Sequence, residues 1–143
     1  MKEILFRGKR IDNGEWETGF LVIERYQTSE EKFYITDKMT GYHTPILPKT
    51  VGQYTGLTDK NRKMIFEGDI INAITLDTGN EQKAVVGFGL FIDENNDEEY
   101  IGFYIEFDGI KTTITQLSME EVKDRIEVIG NIHDNPELLE VEE

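Results

Sequence analysis

The sequence predicts a mainly β protein, built from small curled antiparallel sheets with one or two short helices. Three observations carry that expectation. Apolar residues recur at every second position along much of the chain, the spacing of a half-buried strand. Gly, Asn and Asp cluster between those runs at hairpin spacing. Full helix-start chemistry, by contrast, stands at a single place.

Taken in order, Leu5 to Ile11 and Trp16 to Ile23 read as strands joined by the turn Asp12-Asn13-Gly14-Glu15, and Lys32–Thr36 as a further strand. Val51 to Leu57 is β-compatible, and Asp59-Lys60-Asn61-Arg62 is a turn, because Asp and Asn bond their own backbone and Asn tolerates left-handed φ. Lys63 to Phe66 returns as a strand, Glu67-Gly68-Asp69 breaks it, and Ile70 to Ile74 begins another. At that corner glycine is expected where a Cβ would clash, and Asp69 is expected to tie down freed amides. Three closely connected strands with such corners suggest SH3-like barrel-type elements.

Ala84–Phe91 (AVVGFGLF) reads as a strand whose glycines mark a bend or bulge. Ile101, Phe103, Ile105 and Phe107 share one face of the next strand, Asp108-Gly109 follows, and IKTTITQL returns. Asp-Gly between two such runs predicts a two-residue hairpin over roughly Glu99 to Leu117, since both central residues of a type I′ turn need positive φ. Ser118 and Glu121 have the spacing of a capping box, which starts a helix ending near Arg125. Ile126 to Ile129 resumes strand character, and Asn135-Pro136 resembles a helix cap with proline at the first position. The final acidic residues are expected to fray.

A chain of 143 residues with 38 % apolar content suits one domain with a real core, with two subdomains, 1–75 and 76–143, as a variant. Cysteine is absent, which excludes disulfide scaffolds, thiol nucleophiles and thiolate metal sites. Charge breaks every apolar run well short of the ~20 residues a membrane-spanning helix needs, and no secretory leader opens the chain. A soluble, cytoplasmic protein without a membrane partner is the expectation. Net charge is −14: residues 1–72 hold 11 basic and 11 acidic residues, and residues 73–143 hold 4 and 18. A duplex-binding protein offers a basic face to phosphates, so direct nucleic-acid binding is disfavoured.

Several constellations could carry chemistry, and each has a simpler structural use. Asp77-Thr78-Gly79 matches the aspartic-protease triplet, and Val128-Ile129-Gly130-Asn131 loosely resembles the element packed beneath it in single-domain viral enzymes. That chemistry needs two carboxylates sharing a proton, hence a symmetric dimer with Asp77 from each chain. Asn80 stands where a small apolar residue belongs, and a turn is the preferred reading. Asp93 to Glu99 starts like a calcium loop, yet Glu98 and Tyr104 occupy the glycine and bidentate-glutamate positions, so a solvated loop is preferred. His43 and His133 lack metal-ligand spacing, and Ser29 and Ser118 lack a nucleophile-elbow setting. Trp16, Tyr26, Phe33, Tyr34, Tyr54 and Phe66 sit near basic residues and could stack bases, although packing into the core is the commoner role. No glycine-rich loop leads from a strand into a helix as a phosphate cradle requires.

FRGKRIDNGEWETGF, GQYTGLTDKNRKMIFEGDI and IEVIGNIHDNPELL, in that order from Phe6 to Leu139, resemble the YopX family of small proteins encoded by phages and prophages of Gram-positive bacteria. Arg62 departs from the pattern, where the family usually has glycine after Asn, at a strain cost of ~1 kcal/mol. The resemblance implies a mainly β fold, a bacterial-cytoplasmic setting and an accessory phage role; it brings no catalytic residue to carry over. The expected function is a non-enzymatic protein-interaction module with no catalytic, cofactor or metal residues, whose partner is a bacterial host or phage protein. Two rivals stand beside it: an acidic mimic of nucleic acid that blocks a host DNA- or RNA-binding protein, and a dimeric aspartic protease using Asp77. The sequence does not set the oligomeric state, and a homo-oligomer is compatible with it.

Overall fold

The computed structural model describes residues 3–74, 79–94, 97–114 and 124–140. The protein is mainly β, and the chain divides into two compact units, Met1–Gly56 and Leu57–Glu143.

In the first unit, β1 (Phe6–Lys9), β2 (Trp16–Arg25), β3 (Glu31–Thr36), β4 (His43–Pro45) and the start of β5 (Gly52–Thr58) form an antiparallel sheet in the order β4-β3-β2-β1-β5. The Asp12–Gly14 turn joins β1 to β2, with Gly14 at positive φ and Asn13 Oδ1 accepting from the Glu15 amide. Leu5, Ile35 and Ile46 are buried. Two glycines permit the close approach: a Cβ on Gly8 would overlap the Ile46 side chain, and one on Gly19 would overlap the Thr36 carbonyl oxygen. Thr50, in the 3-10 turn Pro48–Thr50, accepts from the Lys9 amide at 2.8 Å and donates to the Leu47 carbonyl at 2.6 Å.

In the second unit, β6 (Met64–Phe66) lies beside the end of β5. The strands β7 (Asp69–Ile74), β8 (Glu81–Asp93), β9 (Glu98–Phe107), β10 (Ile110–Thr113) and β11 (Ile126–Asn131) form an antiparallel sheet in the order β10-β9-β8-β7-β11. Ile65, Ile71, Ala84, Val86, Ile114, Ile126 and Val128 make its core, with Phe103 and Ile105 packed against it. Burying each branched side chain contributes roughly 1.5–3 kcal/mol. Asp108 (φ 49°) and Gly109 (φ 78°) form the expected two-residue turn, with Phe107 opposite Ile110.

Sheets fold back here without closing. The sequence suggests barrel-type elements, and the structure has two open antiparallel sheets instead. Closure depends on pairing between edge strands far apart in sequence, which local turn chemistry does not specify. Among the described residues short 3-10 turns stand at Pro48–Thr50 and Pro136–Leu139, and Asp124 and Arg125 are helical just before β11, where the helix is expected to end. The helix start expected at Ser118 and Glu121 lies outside the described residues. Asn135 does precede Pro136, yet its side chain caps nothing in that turn; Oδ1 accepts from the Asn131 amide at 3.3 Å.

The middle block is a set of backbone ties. Asp59 is 1 % exposed; its Oδ1 accepts from the amides of Asn61 (2.9 Å) and Lys63 (2.8 Å), and Oδ2 from Val128 (2.9 Å). One carboxylate therefore shapes the β5–β6 turn and fastens it to β11. Arg62 takes the left-handed conformation expected of the turn, at φ 63°. Arg62→Gly should relieve ~1 kcal/mol of strain against a comparable gain in unfolded-chain entropy. Urea unfolding should place the variant at or slightly above the parent stability.

At the next corner Gly68 has φ 91°, and the buried Asp69 Oδ2 accepts from the Phe66 amide at 2.7 Å. The expected clash is not the reason for glycine. A Cβ there would meet nothing closer than 3.8 Å, so the requirement is the hand of the backbone.

Candidate functional site

β8 and β9 form a ribbon, the longest strand pairing of the second unit. Cross-strand partners run without a register shift from Val85 opposite Glu106 to Asp93 opposite Glu98. Near its base, Ala84 and Val86 point into the core with Ile105 and Phe103. Farther out, the same face leaves the core: Phe88, Leu90, Ile92 and Ile101 are exposed, Leu90 by 65 % and Ile101 by 77 %. Leu90 stands opposite Ile101, Phe88 opposite Phe103 and Ile92 opposite Glu99, so these side chains form one apolar ladder ending at a carboxylate.

Close packing at Gly87 accompanies the change of buried face. Gly87, Gly89 and Gly102 lie on the other face, with Gly89 directly opposite Gly102. Tyr104 lies so close over Gly87 that a Cβ would overlap its ring. Phe91 packs on Tyr104 (5.2 Å between ring centres) and Tyr100 (5.9 Å). Phe91 and Asp93 are buried while Leu90 and Ile92 are not. Of the three glycines only Gly87 lies under a ring, that of Tyr104 on the ribbon's own face, while the Cβ positions of Gly89 and Gly102 are open, and no bulge is present in the pairing.

Carboxylates collect at the ribbon tip, Glu99 on the ladder face and Glu98 on the other. Glu94, Asp97, Glu98 and Glu99 are exposed at the ribbon tip, and Glu98 accepts from the Tyr100 hydroxyl at 3.0 Å. From Ala84 to Ile110 the chain has no Lys or Arg. The first unit carries 8 basic and 8 acidic residues, whereas the second carries 7 and 21 and so holds the whole net charge of −14.

The sequence-derived candidates are placed as follows. Asp93, first residue of the calcium-like run, is fully buried and its Oδ2 accepts from the Thr113 amide at 3.0 Å. It ties a strand end, and only the acids beyond it belong to the solvated loop. Asn95 and Asn96 lie outside the described residues, as do Asp77 and Thr78 of the protease-like triplet and Ser118. Val128 to Asn131 belong to β11, where a register shift falls between Val128 and Gly130. Asn131 Oδ1 accepts from the amides of His133 (3.0 Å) and Asp134 (2.9 Å), and a Cβ on Gly130 would crowd Asn135. His43 is exposed and its Nδ1 lies 2.6 Å from Thr36 Oγ1. Ser29 sits at φ 67° in the β2–β3 turn. Among the described residues no group of three or more His, Asp and Glu is placed to hold a metal ion.

Phe66 is buried and Trp16, Phe33, Tyr34 and Tyr54 are half-buried, leaving Tyr26 exposed. The Arg7 guanidinium lies 4.5 Å from the Trp16 ring centre and Lys9 Nζ 5.7 Å, while Lys32 Nζ is 5.4 Å from Tyr26. A ring already faced by a cation is a poorer platform for a stacked base. Shifted ionisations follow local ties. The Asp12 carboxyl is lowered chiefly by its hydrogen bond from Arg10, and Asp37 by the Thr40 and Met39 amides. The Tyr26 phenol is raised chiefly by its hydrogen bond to Glu24, and burial raises Tyr54. A shallow cleft of about 440 Å³ in the second unit is lined by Lys83, Glu106, Phe107, Asp108, Leu138 and Glu140 among others.

The ladder was missed by sequence reasoning. Its signal was present, since Phe88, Leu90 and Ile92 alternate and Ile101 continues their row, but alternation shows a shared face without showing where that face leaves the core.

Comparisons with known proteins bear on the fold and the family. The chain resembles the crystal structure of protein EF1440 from Enterococcus faecalis, with 22 % identity, 98 % of this chain and 100 % of that one covered, and a TM-score of 0.54; at that identity the likeness concerns the fold. Comparison with curated proteins gives no match. Among the described residues no helix is long and apolar enough to cross a membrane. The family model described as YopX protein matches residues 5–140, which takes in the Asp59 tie, the Gly68-Asp69 corner, the β8–β9 ribbon and the Asn131 turn, and the chain therefore belongs to the YopX family.

Proposed function

We propose that this YopX-family chain is a non-enzymatic protein-interaction module, serving as a phage or prophage accessory protein in the bacterial cytoplasm. The single observation that supports the interaction role is the apolar ladder of Phe88, Leu90, Ile92 and Ile101, contiguous, exposed and ending at carboxylates. Contiguous apolar surface with a polar rim is the usual form of a protein-binding patch. The family blocks favour the same reading in another way, because their Asp and Asn side chains are engaged in holding backbone amides. The phage and cytoplasmic setting rests on the family resemblance.

The test is capture from a bacterial lysate with the parent protein and with Leu90→Thr/Ile101→Thr. Threonine keeps β propensity and removes apolar area. Proteins retained by the parent should fall by at least roughly tenfold with the variant, at a melting temperature within a few degrees of the parent. Equal capture by both proteins contradicts the interaction reading of this face, and a turnover lost on substitution of one named residue contradicts the non-enzymatic one.

A second reading, mimicry of nucleic-acid phosphates, is favoured by one observation, the confinement of the whole −14 to the second unit. It makes a different forecast. Duplex DNA or RNA should then displace the captured protein, and displacement should be unaffected by the two threonines.

A further inference from the structure

We infer that the occupant of the ladder is a cationic amphipathic segment of another protein, an apolar row flanked by Lys or Arg. This deepens the interaction reading and rests on it. Charge complementarity selects the chemistry. Between Ala84 and Ile110 there are seven acidic residues and no basic one; Asp93, Glu98 and Glu106 lie on the other face and Asp108 in the far turn, which leaves Glu94, Asp97 and Glu99 for the ladder's outer end. Glu99 stands opposite Ile92 on the ladder face itself, and Glu94 and Asp97 are exposed at the same tip, while Glu98 stands opposite Asp93 on the other face.

Other occupants meet that charge unfavourably. A second copy laying its ladder on this one would bring together two units that each carry the whole −14, and like charges brought close across an interface repel. An anionic lipid surface or a nucleic acid is repelled for the same reason. A neutral apolar segment would cover the ladder but leave the carboxylates partly desolvated with no counter-charge. Lys or Arg beside the apolar row supplies that counter-charge while keeping the apolar contact.

The spacing suits such a segment. Phe88, Leu90 and Ile92 recur at every second residue, so the row is roughly 14 Å long at ~3.4 Å per residue. Two turns of an amphipathic helix cover about 11 Å.

The probe is a synthetic Leu/Lys amphipathic peptide of about 18 residues, with Leu/Gln and Leu/Glu versions on the same pattern. Isothermal titration of the full chain should show the Leu/Lys peptide binding at least roughly tenfold tighter than the Leu/Gln one, and weakening as salt rises. Leu90→Thr/Ile101→Thr and, separately, Glu94→Gln/Asp97→Asn/Glu99→Gln should each weaken it at least roughly tenfold. Equal affinity for Leu/Lys and Leu/Gln overturns the inference. So does Leu/Lys binding that ignores the two threonines, which would be attraction to net charge alone. A dimer in sedimentation equilibrium that the two threonines dissociate also overturns it, in favour of a second copy. In each of those cases lysate capture that depends on the ladder would leave the interaction reading standing, so the two failures are separable.

Discussion

Asp59→Ala lowers the unfolding free energy by about 3–5 kcal/mol, because three buried or part-buried amides lose an anionic acceptor at once and hydrogen bonds to charged groups contribute about 1.5–3 kcal/mol each, less than additively. Asp59→Asn should cost less, about 1.5–3 kcal/mol. Its carboxamide oxygen can serve Asn61 and Lys63, but its NH2 group then faces the Val128 amide, donor against donor. Urea unfolding monitored by circular dichroism measures both variants. A cost below about 1 kcal/mol for the alanine variant would mean that water replaces the carboxylate, and the account of this turn as a clamp on β11 would be wrong.

Gly19→Ala should cost about 3 kcal/mol, at the upper end of ordinary overpacking. Alanine in place of glycine normally gains about 0.5–1 kcal/mol in a strand through the unfolded chain. Here the new methyl group would overlap the Thr36 carbonyl oxygen and crowd Ile35, and the overlapped atom is backbone, so no rotamer change relieves it. Gly102→Ala is the matching control. Nothing lies within 4 Å of its Cβ position, and alanine there should be neutral or slightly stabilising by thermal melting. Similar losses at both positions would show that strand glycines matter here through flexibility and not through space.

Turns and strands were legible because their causes are local. Asp108-Gly109 needs only its own two backbone conformations, and Asp59 reaches Asn61 and Lys63 within four residues. Long-range partners were not legible. Nothing near Asp59 in sequence points to Val128, 69 residues on, and nothing near Asp93 points to Thr113, so a buried strand tie reads like the first acid of a solvated loop. The ladder was hidden for a related reason. Ile101, Phe103 and Ile105 alternate as one face, but the core ends partway along it, where Tyr104 settles over Gly87 and the opposite face becomes the buried one. Open sheets in place of barrels follow the same logic, since closure is decided by edges that meet late in the chain.

The account separates residues that hold the fold from residues that meet a partner, and a paired comparison of Asp59→Asn with Leu90→Thr/Ile101→Thr tests that separation most directly. Unfolding free energy and affinity for the Leu/Lys peptide are measured on each protein under conditions where it is fully folded. The prediction is a crossed result: the Asp59 variant loses stability and keeps parental affinity, while the ladder variant keeps stability and loses affinity. Parental affinity in the ladder variant, or lost affinity in a fully folded Asp59 variant, would contradict it.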